Sequence, residues 1–168
     1  MTMDETGTRP ATRAQSATSA EPGTRADAKD PLADLLGKVV EVGLTVTERD
    51  VLTFAVLTGD FAPHHVDEDY ARRTTLGRRI AHGALLIGYA SAASSAIGEQ
   101  TPVHVVSLGY DRIRFIKPVF VGDDIVIRYE VTGFDPAKRR TSARIEFTNG
   151  DGQLVAVATH LLQAWSGR

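Results

Sequence analysis

The stretch from Ile80 to Ile97, IAHGALLIGYASAASSAI, holds no charged residue and is dense in Ala, Ser and Gly. Its length suits a helix, and a helix this apolar needs cover on most of its sides. Its small side chains permit close approach, so a curved sheet wrapped around it is the expected partner. A membrane helix fits less well, because Gly83, Gly88 and the serines interrupt it and Arg78, Arg79 and Glu99 flank it. After Pro102 the pattern turns to strands. Val103–Lys117, Ile125–Thr132, Thr141–Thr148 and Leu154–Trp165 follow one another, with Asp135-Pro136 and Asn149-Gly150-Asp151-Gly152 as turns. We expect these four strands to form a meander, with Trp165 packing the last of them. On the N-terminal side, Lys38–Val46 alternates with a period of two and reads as a strand. Thr47 followed by Asp50 reads as a helix cap, and Val51, Phe54 and Ala55 continue at helical spacing to Gly59, a natural helix-ending residue. Residues 60–78 look irregular, with a short helix over Asp67–Arg73. The class is α+β, an antiparallel sheet on one long helix.

Composition bounds the rest. The chain has 168 residues, 42% hydrophobic and 24% charged, which makes one domain. Residues 1–30 contain no Val, Ile, Leu, Phe, Tyr or Trp and are expected to be a disordered tail, leaving 31–168 as the folded domain. Five acids and almost no apolar face argue against a transit peptide in that tail. A net charge of −2 argues against nucleic acid or an anionic membrane as partner. The absence of cysteine excludes a disulfide framework, a thiol nucleophile and cysteine-held metal. No run is apolar enough to span a membrane, and no secretory signal is evident, so a cytoplasmic location is expected.

One segment is unlike scaffold: Leu57-Thr58-Gly59-Asp60-Phe61-Ala62-Pro63-His64-His65-Val66-Asp67. It places an acid and an imidazole five residues apart on irregular backbone, with Pro63 stiffening the connection. Such a pair can grip one water and add it to a polarised alkene, or remove it. The plainer alternative is that Asp60 caps a turn and His65 packs beneath it. His82-Gly83 stands near the start of the long helix, where backbone N–H groups lack internal partners. Gly83 has no side chain to block a carbonyl, so its N–H could form an oxyanion hole, or it serves only close packing. No spacing of His64, His104 or His160 suggests a metal. Arg72, Arg73, Arg78 and Arg79 flank the loop; they suit a solvated charged face better than a phosphate site, as do Arg112, Arg114 and Lys117.

Gly59-Asp60-x-x-Pro63-x-His65, then Ile80-Ala81-His82-Gly83, then Phe115-Ile116-Lys117-Pro118-Val119-Phe120-Val121-Gly122-Asp123, together resemble the MaoC-like (R)-specific enoyl-CoA hydratases. The match runs in order and spacing from about residue 38 to 164. The resemblance implies a single hot-dog fold, a long helix wrapped by an antiparallel sheet. It implies Asp60 and His65 as the pair that activates water, Gly83 as oxyanion donor, and Ser91 near the site. Ala62, Pro63 and His82 are expected along the substrate. Ala62 departs from the family's usual Asn. The implied substrate is a trans-2-enoyl thioester of coenzyme A or of an acyl-carrier protein; coenzyme A or phosphopantetheine is then part of the substrate, with no further cofactor and no metal. A homodimer with shared acyl tunnels is implied as well. A hot-dog thioesterase and a non-catalytic partner subunit of a heteromeric dehydratase are the competing readings.

Overall fold

The computed structural model describes residues 29–165. All but the last two residues of the expected 1–30 tail lie outside that range. Asp30 itself belongs to the fold. Its carboxylate caps a 3-10 turn over Pro31–Leu35 by accepting the Leu32 N–H at 3.1 Å, and it pairs with Arg139 at 2.7 Å. Leu32 and Leu35 from this turn are buried in the main core.

Strand β1 (Val39–Thr45) leads to helix α1 (Glu48–Thr58), whose start is a reciprocal cap. Thr47 Oγ1 accepts the Asp50 N–H at 3.2 Å and Asp50 accepts the Thr47 N–H at 2.9 Å, satisfying donors that a helix start leaves free. The region expected to be mostly irregular holds α2 (Pro63–Val66) and, where a short helix was expected, α3 (Glu68–Arg72). Asp67 caps the second through the Tyr70 N–H at 2.9 Å. The long helix α4 spans Gly83–Gly98. It starts three residues later than its apolar run, because Ile80 bridges to Phe120 and the Ala81 N–H bonds the Val119 carbonyl at 2.7 Å.

Strands β2 (Val105–Phe115), β3 (Asp124–Asp135), β4 (Arg140–Asn149) and β5 (Leu154–Ala164) complete an antiparallel sheet in the order β1-β3-β4-β5-β2. Only β3, β4 and β5 form a meander. β2 crosses to the far edge and pairs with β5, with Tyr110 opposite His160. The inner face of the sheet, including Ile125, Ile127, Tyr129, Ile145 and Phe147, shares one core with Leu85, Leu86, Ala90, Ala93 and Ile97 of α4. This is the expected α+β hot-dog fold. The sheet covers one side of α4 only; Ala84, Gly88, Ser91, Ala92 and Ser95 make an exposed stripe. Trp165 does not pack the last strand but stands 59% exposed beyond it. No helix among the described residues is long and apolar enough to cross a membrane.

Candidate active site

Helix α1 ends at Gly59, whose left-handed φ of 79° suits glycine and whose N–H closes on the Ala55 carbonyl at 2.8 Å. The chain then turns through Asp60. One carboxylate oxygen of Asp60 accepts the Ala62 N–H at 3.2 Å, and the side chain stays 52% exposed. Pro63 occupies the first turn of α2, where its fixed φ favours helix entry and its missing N–H costs nothing. That turn directs His65 inward, where it is buried. His65 Nδ1 lies 2.8 Å from the Ile80 carbonyl oxygen. A carbonyl only accepts, so Nδ1 carries the proton and Nε2 presents a lone pair. Burial pushes the His65 imidazole below its ordinary value of 6.5, against the upward pull of the Ile80 bond; His82 and His64 push it further down and Asp60 up.

The segment that supplies the Ile80 carbonyl is itself held. The Ile80 N–H bonds the His64 carbonyl at 3.1 Å, and the Arg79 guanidinium, 14% exposed, grips Glu48 at 2.7 Å and Glu68 at 3.0 Å. This ties α1 and α3 to the chain just before the site. His82 then stands at the cap position of α4, only 2% exposed. Its Nε2 is 3.0 Å from the Asp60 carbonyl oxygen and 4.0 Å from a carboxylate oxygen of the same residue. Its ring stacks on His65 with centroids 3.8 Å apart. The donor atoms of Asp60, His65 and His82 all lie within 4.8 Å of one another.

Gly83 is the first residue of α4, and its N–H meets no acceptor among the described residues. The partial positive charge of the helix start therefore faces outward at this point. A Cβ on Gly83 would lie 2.6 Å from Cε2 of Phe115. The space in front of it is a cavity of about 360 Å³ lined by His65, Ile80, Gly83, Leu86, Phe115 and Lys117, among others. An imidazole and a free helix-start donor thus line one largely apolar cleft, and the Asp60 carboxylate lies beside that imidazole.

A model of the MaoC-like domain matches residues 34–153, most of the folded chain. The chain belongs to the MaoC-like family. It is 35% identical over 112 residues to the (R)-specific enoyl-CoA hydratase of Rhodospirillum rubrum, covering 67% of this chain and 76% of that one. It is likewise 35% identical over 118 residues to the 3-hydroxybutyryl-CoA dehydratase of Methylorubrum extorquens, covering 67% and 73%. Among solved structures, the unliganded R-hydratase PhaJ1 from Pseudomonas aeruginosa superposes with a TM-score of 0.67 at 34% identity, covering 80% of this chain and 84% of that chain.

Within this MaoC-like chain the structure brings Asp60, His65, His82 and Gly83 together. Ala62 gives its N–H to Asp60, and Pro63 shapes the turn. Ser91 lies elsewhere, on the exposed stripe of α4, and its carbonyl accepts the Ser94 hydroxyl at 3.0 Å. The basic group is largely neutralised: Arg72 pairs with Glu68 at 3.3 Å, Arg78 with Asp123 at 3.0 Å, and Arg79 with two glutamates. Sequence reasoning named Arg79 and His82 but missed the ion pairs of the first with Glu48 and Glu68 and the stacking of the second on His65. Adjacency of His82 to Gly83 was the available signal for the second. For Arg79 there was none, because its partners come from two distant helices.

Proposed function

We propose that this chain is an enoyl thioester hydratase, acting reversibly as a 3-hydroxyacyl thioester dehydratase. The observation that carries the reading is that His65 and Gly83, whose N–H is unpaired among the described residues, line one largely apolar cleft, with the Asp60 carboxylate beside His65. The activities named for the relatives support it. The Gly83 N–H takes the thioester oxygen and stabilises the enolate that forms there. Water held between Asp60 and His65 gives a proton to His65 Nε2 as its oxygen bonds the β-carbon. That proton, from the dyad directly or through the water, returns to the α-carbon, so one molecule of water is added across the double bond. The chemistry needs no cofactor; coenzyme A or a phosphopantetheine arm belongs to the substrate. His82 Nε2 is committed to the Asp60 carbonyl, so acid–base work suits this cluster better than three-ligand metal binding.

Purified protein mixed with crotonyl-CoA should remove the conjugated enoyl-thioester absorbance without releasing free thiol. Release of thiol instead would make it a thioesterase. His65 works unprotonated, and its pKa lies below 6.5. The acid limb of kcat/KM should therefore rise with pH through a midpoint below 6.5, with activity lost as pH falls through it. Activity that persists unchanged as pH falls would take His65 out of the base role.

The assembly we propose is a homodimer. β2 is a long edge strand with backbone unpaired on one side among the described residues, and Leu108, Phe115 and Ile116 stand about half exposed at or next to it. Leu57 and Phe61, 80% and 56% exposed, flank Asp60. Such an edge and such apolar residues favour a second copy. Light scattering after size exclusion should give twice the chain mass of 18.1 kDa at micromolar concentration. A fully active monomer would overturn the shared tunnel.

A further inference from the structure

The His82 ring is the point where the parts of the site touch. It is only 2% exposed, stacked on His65 at 3.8 Å with the planes 27° apart, tilted against Phe54 at 4.8 Å, and its backbone leads directly into Gly83. Its Nε2 faces the Asp60 carbonyl at 3.0 Å. That oxygen can only accept, so Nε2 must be the protonated nitrogen. Nδ1 is then a bare acceptor, and it is buried with no partner among the described residues. A buried, unsatisfied acceptor is costly. Packing alone would be better served by phenylalanine, which fills the same flat space between Phe54 and His65 without that cost. What histidine adds is the Nε2–H.

We propose that His82 is a positioning residue for the acyl-thioester chemistry, holding Asp60 through its Nε2–H and His65 through its stacked ring. The inference rests on the hydratase reading for its consequence in catalysis, and on geometry alone for the positioning. His82 does not touch the reacting atoms, since it is sealed behind His65. Its N–H fixes the backbone of Asp60 and so the direction of the carboxylate. Its ring keeps water from one face of His65 and fixes the plane in which Nε2 points. Displacements of about 1 Å in such a pair cost rate, with little effect on binding.

His82→Phe keeps the ring and loses the donor; His82→Gln keeps a donor of similar reach and loses the ring. With crotonyl-CoA, His82→Phe should lower kcat about 10- to 100-fold with KM within about twofold. His82→Gln should regain several-fold of that loss. The groups facing His65 are Asp60, His64, His82 and the Ile80 carbonyl, and only His82 changes in these variants. Removing the ring in His82→Gln lets water reach His65, so the acid limb should move upward towards 6.5. Wild-type kcat in His82→Phe, or equal losses in both variants with an unmoved acid limb, would overturn the proposal. If the wild-type protein is inactive on every enoyl thioester tried, the hydratase reading falls. The His65 titration, followed by imidazole ¹⁵N shifts, then decides positioning separately: an upward shift in His82→Gln sustains it, and an unchanged titration removes it.

Discussion

Asp60→Asn and His65→Gln should each lower kcat/KM on crotonyl-CoA by about 10³- to 10⁴-fold, and the double variant should lose little more than either alone. Both substitutions spare the scaffold. In Asp60→Asn the side-chain amide oxygen can still accept the Ala62 N–H that the carboxylate accepts at 3.2 Å. In His65→Gln the side-chain amide can still donate towards the Ile80 carbonyl, now bonded by the imidazole at 2.8 Å. The variants therefore remove a carboxylate charge and a proton acceptor while leaving the turn of α2 in place. Non-additivity follows from the proposed chemistry, because one water is oriented by one residue and deprotonated by the other. Once either is missing, the second has no correctly placed water to act on. Losses that multiply in the double variant would mean that the two residues act on separate steps. An Asp60→Asn enzyme with full activity would return Asp60 to the role of a turn cap. Melting temperatures within a few degrees of the wild type are needed to read any of these outcomes as chemistry.

The parts of the fold that were legible in the sequence are those set by local chemistry. Thr47 with Asp50 marked a helix start and Gly59 its end, because caps are satisfied within a few residues. The alternation in 141–148 marked β4, because one face of that strand is buried. What required the structure was set at long range. The start of α4 at Gly83 rather than Ile80 depends on Phe120 and Val119, which hold Ile80 and Ala81 extended. The far-edge position of β2 depends on β5, and nothing within 103–117 encodes that choice over pairing with β3. The pair Asp60 and His65 was legible as a short-range motif. Their joint support was not: Arg79 reaches Glu48 and Glu68 across the sequence, and the His82 ring meets residues from two other segments. Ser91 illustrates the converse. The family resemblance implied a place near the site, but Ser91 stands on the face of α4 that the sheet leaves open.

Gly83→Ala should lower kcat/KM by about 10²- to 10³-fold while leaving the fold intact. Alanine favours a helix over glycine, so the start of α4 is not weakened by the change itself. The new methyl is the difficulty: it would stand 2.6 Å from Phe115 Cε2. Within the single chain Phe115 is 52% exposed, so its ring can turn aside from the methyl, which limits the cost in stability. The methyl itself then occupies the approach to the Gly83 N–H, and the thioester oxygen loses its donor as enolate charge develops. Adding Phe115→Ala separates the two contributions. If Gly83 serves as the oxyanion donor, the double variant regains the melting temperature of the Phe115→Ala single variant but none of the rate lost through Gly83→Ala. If Gly83 serves only to let Phe115 pack against α4, clearing the ring restores the rate as well, and the site would need another donor for the thioester oxygen.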